Sequence, residues 1–367
     1  MKVRRIQIVQ AKEGMVVAED LYTSKNELIL PCHTTLTREI IERIKYYEIY
    51  RFNVYEEEPE AVRIQETTNS LEEEQVSHLE KVRKSQEFVV FKKDFDQTVE
   101  GLKRTFGKML DNKEGIDGTQ LLVRQVENIV KNGNGTMHVM DMLNCIREYD
   151  DVTFAHSISV SLLCRLIGEW LNFSEQDISV LTLCGMLHDI GKLQIDNAII
   201  SKPGKLTDEE FKIVQEHPML GYRLLKDREL DLRVKQAALF HHERCDGKGY
   251  PLRYESEKIS ISSKIVMVAD VYDAMTADRS YRKGMCPYKA LDIMLEDGFQ
   301  KYDPKILMLF IEKTVQAYLN SPVELSNGKI GSIVCNNPLA FTRPLVRVGD
   351  EFLDLSKEKE IKITRLL

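Results

Sequence analysis

The stretch HDIGK at residues 188–192, followed by HHERCDGKGYP at residues 241–251, decides how this chain is interpreted. These motifs hold three of the five histidines that fall within fewer than ninety residues; the others are His156 and His217. A carboxylate follows at Asp270. A lone histidine is more often a hydrogen-bonded core residue than a ligand. Imidazole and carboxylate groups clustered in this way suit borderline and hard divalent metals, so the pattern predicts a metal centre.

A phosphate ester is the substrate class that such a centre favours. Two ions a few ångströms apart lower the pKa of a shared water and stabilise charge on phosphoryl oxygens, and Asp189 can bridge them. His241 and His242 are neighbours, so on a helix they diverge by about 100°, which favours more than one ion. If the helix continues past Gly191, Lys192 lies on the same helix face as Asp189. Its ammonium group can then neutralise a phosphate oxygen.

Helix periodicity predicts that several of these side chains share one face of their helices. Asp270 and Asp273 lie one turn apart, on a helix whose other face is apolar. Both carboxylates can therefore point away from the core and toward a site. His156 lies on the same face as Val160 and Leu163.

Composition sets the outer limits. The 367 residues, 43% of them hydrophobic, suffice for two or three domains with a sizeable core. A net charge of −7 argues against a nucleic-acid polymer as partner. No apolar run is long enough to span a bilayer, so we expect no membrane contact and a cytoplasmic location. The seven scattered cysteines, without a Cys-x-x-Cys pair, are interpreted as reduced thiols.

Four segments are predicted. The two longest are helical, so the predicted fold class is mainly α. Residues 1–62 form a small α/β N-terminal domain, with a hairpin from residues 16–22 and 27–31, a helix from Arg38 to Tyr46 and a strand at residues 52–55. Residues 63–144 form a helical connecting region, residues 145–320 an all-helical catalytic domain, and residues 321–367 a small β C-terminal unit. That last unit has strand-like runs at residues 330–334, 345–348 and 361–363.

Helix caps and apolar spacing supply further detail. Ser174 opens the helix that carries the His188-Asp189 pair, and Thr207 with Glu210 has capping-box spacing. Apolar positions recur between residues 70 and 110. They favour packing on the core of the same chain, and a homodimer through this region is the alternative.

The two motifs together resemble the HD-GYP family, the bacterial phosphodiesterases that degrade cyclic di-GMP. Agreement continues at His156-Ser157, at HPMLG in residues 217–221 and at VADVYDAMTADRSYR in residues 268–282. The resemblance covers roughly residues 145–320. It implies an all-helical HD-GYP domain with a di- or trinuclear iron or manganese centre.

The resemblance also implies a role for each motif residue. The metal ligands would be His156, His188, Asp189, His217, His241, His242 and Asp270. Asp189 and Lys192 would be catalytic, with Lys192 on the scissile phosphate. The dinucleotide would be held by Tyr250, Asp273, Arg279 and Arg282. Relatives with a third metal carry a glutamate four residues before the first histidine; Val152 stands there, which predicts two divalent ions.

The implied activity is hydrolysis of cyclic di-GMP to linear pGpG and, with further cleavage, GMP. Two alternatives stay open. One is a catalytically weak cyclic-dinucleotide sensor acting through protein partners. The other is a broader HD-type nucleotide phosphohydrolase, against which the Gly249-Tyr250-Pro251 loop argues.

Overall fold

A computed structural model describes residues 3–22, 28–47, 49–55, 82–110, 117–132, 136–146, 152–202, 204–278 and 283–367. Helices dominate it, with small sheets near both ends, which confirms the predicted mainly α class. Thirteen helices follow the N-terminal unit: α2 (Gln86–Leu110), α3 (Asp117–Asn132), α4 (Thr136–Cys145), α5 (Val152–Trp170), α6 (Glu175–Leu187), α7 (Asn197–Ile200), α8 (Asp208–Val214), α9 (His217–Leu225), α10 (Leu232–Phe240), α11 (Ile261–Thr276), α12 (Pro287–Glu296), α13 (Gly298–Lys301) and α14 (Pro304–Ala317), all within the described residues.

The N-terminal unit has its own core. Its elements are β1 (Val3–Gln7), β2 (Leu21–Tyr22), β3 (Leu28–Leu30), α1 (Arg38–Tyr46) and β4 (Arg51–Tyr55). Strand β1 pairs antiparallel with β4, and β2 with β3. Helix α1 begins where predicted because the Thr37 side chain accepts a hydrogen bond from the Ile40 amide. The predicted hairpin is confirmed in shorter form, with residues 23–27 outside the described chain, whereas β1 was not predicted.

The apolar face of α2 packs inside the chain. Phe91, Phe95, Leu102 and Phe106 are buried in the same hydrophobic cluster as α5 and α11. Packing within one chain therefore accounts for the apolar spacing between residues 82 and 110 without a second copy. The predicted positions between residues 70 and 81 lie outside the described chain, and the homodimer stays a prediction.

A five-stranded antiparallel sheet ends the fold. Its strands are β5 (Pro322–Leu325), β6 (Ile330–Cys335), β7 (Leu345–Val348), β8 (Glu351–Asp354) and β9 (Ile363–Leu366), in the order β8-β7-β6-β5-β9. The strands predicted at β6 and β7 are confirmed, the third lies slightly later than predicted, and β5 and β8 are additional. One face joins the main core through Val323, Ile333 and Val346. Tyr46 and Tyr47 of the N-terminal unit pack near Val334 on this sheet.

Two composition-based expectations can be compared with the structure. All seven cysteines are present as thiols. Among the described helices, none combines the length and the apolar character that crossing a bilayer requires.

Candidate metal centre

Five helices deliver the predicted ligands to one place. His156 lies on α5 and Asp270 on α11, while His217 is the first residue of α9. The other four ligands are the first two residues after the end of a helix: His188 and Asp189 come after α6, and His241 and His242 after α10. The start of α6 is capped by Ser174, whose hydroxyl accepts a hydrogen bond from the Asp177 amide.

The backbone holds three of the histidine rings by their Nδ1 atoms. These lie against carbonyl oxygens: His188 against Gly185 at 2.6 Å, His217 against Val214 at 2.6 Å, and His241 against Ala237 and Ala238 at 3.1 Å each. A carbonyl only accepts hydrogen bonds, so each Nδ1 carries the proton and each Nε2 presents a lone pair. Metal-binding histidines are oriented in this way.

The lone pairs point at one another and at a carboxylate. The Nε2 atoms of His217 and His241 lie 3.0 Å apart. His188 Nε2 and Asp189 Oδ1 are buried without a hydrogen-bond partner among the described residues. Opposed lone pairs and orphaned buried acceptors are costly unless a cation lies between them. The donor set therefore fits metal ions.

Asp189 divides its two oxygens between two groups of ligands. Oδ1 lies 3.2 Å from His217 Nε2 and 3.5 Å from His241 Nε2. Oδ2 lies 3.2 Å from His188 Nε2 and 3.7 Å from His156 Nε2. Two groups could each hold an ion: Asp189 with His217, His241 and His242, and Asp189 with His156 and His188. Their shared member, Asp189, has the geometry of a bridge.

His156 lies between two carboxylates of α11. Its Nε2 is 3.0 Å from Asp270 Oδ1, and its Nδ1 is 2.6 Å from Asp273 Oδ2. Burial disfavours the charged ring, but the hydrogen bonds to Asp270 and Asp273 outweigh it and raise the pKa of His156 to about 9. Asp270 thus joins the ligand side, whereas Asp273 orients His156 from behind.

Lys192 contacts Asp189, but the backbone between them is not the continued α-helix that was predicted. Helix α6 does not continue past Gly191; it ends at Leu187, and a 3₁₀ segment runs from Ile190 to Gln194. Residues three apart eclipse in a 3₁₀ turn, so Lys192 Nζ lies 2.5 Å from Asp189 Oδ2. Burial alone would raise the pKa of Asp189, but Lys192 and His188 hold it well below its usual range.

Gly191 allows this segment to touch the start of α9. A Cβ atom at Gly191 would lie 2.0 Å from the His217 carbonyl oxygen and 2.5 Å from the Gly221 amide nitrogen. Only glycine permits so close a backbone approach. The glycine of the HDIGK motif therefore sets the distance between Asp189 and His217.

The expected divergence of His241 and His242 is wrong. Helix α10 ends at Phe240, so the 100° step of a helix no longer applies to the second histidine. The ring centroids are 4.2 Å apart, and both residues belong to the same candidate ligand group. Burial lowers the pKa of His241 to about 4, and burial together with the neighbouring His241 holds the pKa of His242 well below its usual range. Both rings are thus neutral, as metal ligation requires.

The Gly249-Tyr250-Pro251 motif packs on the centre. The Tyr250 ring stacks on His242 with centroids 4.8 Å apart, and its amide donates to the His242 carbonyl at 3.1 Å. A Cβ atom at Gly249 would lie 2.4 Å from Glu243 Cα, which explains the glycine. Tyr250 stays partly exposed, as a substrate contact must be.

Glu243 has a place that the sequence analysis did not assign. Its buried carboxylate accepts hydrogen bonds from the amides of Leu252 at 2.6 Å and Tyr254 at 3.0 Å. The signal in the sequence was an acidic residue directly after two ligands and ahead of a glycine-rich loop.

Three predicted positions have side chains outside the described part of the chain. Arg279 and Arg282 lie outside the described residues. Val152 is the first residue of α5, and its side chain is likewise outside them.

Known proteins resemble this chain over the same segment. Residues 139–306 match the HD domain family. A cyclic di-GMP phosphodiesterase of Pseudomonas aeruginosa is 37% identical over 205 residues, which cover 55% of this chain and 49% of that protein. A 3'3'-cGAMP-specific phosphodiesterase of Vibrio cholerae is 39% identical over 153 residues, covering 42% of this chain and 33% of that protein. The chain thus spans half or less of the length of these relatives.

A solved structure agrees with the fold. An HDGYP protein of Bdellovibrio bacteriovorus superposes with a TM-score of 0.52, covering 84% of this chain and 98% of that one at 14% identity. At that identity the likeness concerns the fold alone. The family match, the relatives and the two motifs agree on one segment: residues 139–306 of this chain resemble an HD domain of the HD-GYP type.

Proposed function

We propose that this protein is a metal-dependent phosphodiesterase that hydrolyses cyclic di-GMP to linear pGpG. The observation that carries the proposal is the division of Asp189 between two histidine groups, with Lys192 on the same carboxylate. The names of the similar proteins support the substrate class, since they describe phosphodiesterases of cyclic dinucleotides.

Two divalent ions, iron or manganese, suit this mixed nitrogen and oxygen donor set. One would be held by His156, His188, Asp189 and Asp270, and the other by Asp189, His217, His241 and His242. When bound, such ions lower the pKa of water and polarise phosphoryl oxygens. The protein fixes the ring orientations in advance through the backbone carbonyls behind the rings.

Lys192 and Tyr250 act on the substrate side. The Lys192 side chain is 21% exposed, so its ammonium group can neutralise a phosphate oxygen beside Asp189. Tyr250 offers a partly exposed aromatic ring held on His242. The substrate contacts proposed for Arg279 and Arg282 rest on the motif resemblance, as does that of Asp273, one oxygen of which is already engaged by His156 Nδ1. The net reaction adds water across one P–O3′ bond and yields a 5′-phosphate and a 3′-hydroxyl.

A mixed cyclic dinucleotide is the second candidate substrate. The observation in its favour is the 39% identity to a 3'3'-cGAMP-specific relative. The sensor and the broader nucleotide phosphohydrolase differ from these two phosphodiesterases in the product that they release. Product analysis therefore separates the four candidate functions.

Anaerobic purification, metal quantification and product analysis test the proposal. The substrates are cyclic di-GMP, 3'3'-cGAMP and a nucleoside triphosphate. We expect about two ions per chain and pGpG as product, and a loss of at least about 10²-fold in kcat/KM for Asp189→Ala. Asp227→Ala, which changes a carboxylate that is 87% exposed, is the matched control and should behave like the wild type.

Binding of cyclic di-GMP by metal-loaded protein without cleavage would contradict the enzyme and favour the sensor. Cleavage of 3'3'-cGAMP alone would move the substrate to the mixed dinucleotide. Turnover of the triphosphate alone would support the broader phosphohydrolase instead.

A further inference from the structure

We propose that Glu243 is a positioning residue that holds the Tyr250 loop, residues 246–255, against the metal centre and thereby controls how tightly the cyclic dinucleotide binds. The inference rests on the proposed function for its substrate. The claim that Glu243 holds the Tyr250 loop depends only on the contacts between them.

Both oxygens of the Glu243 carboxylate are engaged by the loop. Oε1 accepts the Leu252 amide hydrogen at 2.6 Å, and Oε2 accepts that of Tyr254 at 3.0 Å. The residue is only 2% exposed. Burying a carboxylate costs free energy unless donors compensate it, and charge-assisted hydrogen bonds are among the strong ones. A buried carboxylate that accepts hydrogen bonds from one loop through both of its oxygens acts as a strut for that loop.

The loop is held on both sides of Tyr250. Before it, Gly249 touches the Glu243 backbone, and the Tyr250 amide donates to the His242 carbonyl at 3.1 Å. After it, Leu252 and Tyr254 are held by the Glu243 carboxylate. Because Glu243 directly follows His242, the same piece of backbone carries a metal ligand and the strut. The position of the Tyr250 ring is thereby coupled to the centre.

Other contacts close the base of the loop. Arg244 Nη2 and Asp246 Oδ2 are 2.7 Å apart, and Asp246 forms an isolated β-bridge with Glu255. The Tyr254 ring packs on Phe240 with centroids 5.6 Å apart. These contacts keep the loop folded when the strut is removed. Loss of the Glu243 carboxylate should therefore loosen the segment after Tyr250 without unfolding the domain.

The kinetic consequence is selective. A contact between Tyr250 and the substrate that is equal in ground and transition states appears in KM rather than in kcat. We expect Glu243→Gln to raise KM for cyclic di-GMP about tenfold, to change kcat less than about threefold, and to leave the metal content unchanged. In a Tyr250→Ala background the same substitution should add less than about twofold, since it acts through that ring.

Amide hydrogen exchange supplies a readout that does not need turnover. Exchange at Leu252 and Tyr254 should accelerate in Glu243→Gln but not in Glu257→Gln, a matched control with an exposed side chain nearby in the chain. If Glu243→Gln does not fold, Glu243→Asp keeps the charge and should show the same KM-selective loss at smaller size. Four results for a folded Glu243→Gln variant would each overturn the proposal. They are a wild-type KM, unaltered amide exchange, loss of metal, and a full additive effect on KM in the Tyr250→Ala background. Faster exchange in a protein whose wild type cleaves no cyclic dinucleotide would instead reject the proposed function and leave the strut standing.

Discussion

At the scale of single residues, the candidate centre is organised by the atoms behind the ligands. Three histidines have Nδ1 on a backbone carbonyl, whereas His156 has Nδ1 on the Asp273 carboxylate. A carboxylate in this place fixes the ring and raises its basicity as a ligand. A single side-chain substitution, at Asp273, can therefore release the orientation of His156.

We predict that Asp273→Ala weakens metal binding in the group of His156 and His188 by about 10- to 100-fold. The ion held with His217 should stay, because no described contact links Asp273 to that group. Elemental analysis after dialysis should then find a metal-to-protein ratio near half that of the wild type. His217→Ala should release the other ion instead, and an equal loss of both ions in Asp273→Ala would contradict the division into two groups.

At the scale of elements, helix ends place five of the seven candidate ligands, and helix faces place only His156 and Asp270. Helices α6 and α10 stop at Leu187 and Phe240, and the residues that follow turn toward the centre. The 3₁₀ segment after α6 passes so close to α9 that Gly191 has no room for a side chain. This contact between two backbones restrains the distance between Asp189 and His217.

We predict that Gly191→Ala destabilises the domain by about 3 kcal/mol and displaces His217, because the clashing atoms belong to the backbone. Gly107 in α2 is the matched control, since a Cβ atom there would meet nothing within 4 Å. Gly107→Ala should stabilise the protein by about 0.5–1 kcal/mol through helix propensity. Denaturant unfolding of both variants measures the difference; equal stability of the two would show that the backbones can separate.

At the scale of the whole molecule, the centre joins helices that are far apart in sequence. Its ligands come from or follow α5, α6, α9, α10 and α11, and all five helices bury apolar side chains in the main core with α2 and the C-terminal sheet. The opposed lone pairs at its middle oppose folding until a cation compensates them. Metal binding and the stability of the helical domain should therefore be linked.

We predict that removing metal with a chelator lowers the melting temperature, and that adding manganese restores it. Saturation at 100 times the dissociation constant contributes about 2.7 kcal/mol for each site. Differential scanning fluorimetry with and without chelator provides the measurement. Asp189→Ala should melt at the same temperature under both conditions, and a wild type indifferent to metal would show that these residues form no metal centre.

Local signals in the sequence determined much of this protein. Caps at Thr37, Ser174 and Thr207 predicted where helices begin, and the strand-like runs of β6 and β7 were visible because they need only neighbouring residues. The ligand residue types were also visible, since metal chemistry restricts them to imidazole and carboxylate.

Only the tertiary structure decided how these residues meet. Backbone turns that periodicity does not encode end α6 and α10. Contacts between residues that are apart in sequence pair β1 with β4 and place the Glu243 carboxylate on its loop. Asp189 could be identified as a bridge from its neighbours in sequence, but which histidines face each oxygen follows from the packing of five helices. The physical reason is that hydrogen bonds and apolar spacing act locally, whereas the distance between two ligands is set by the whole core that separates their helices.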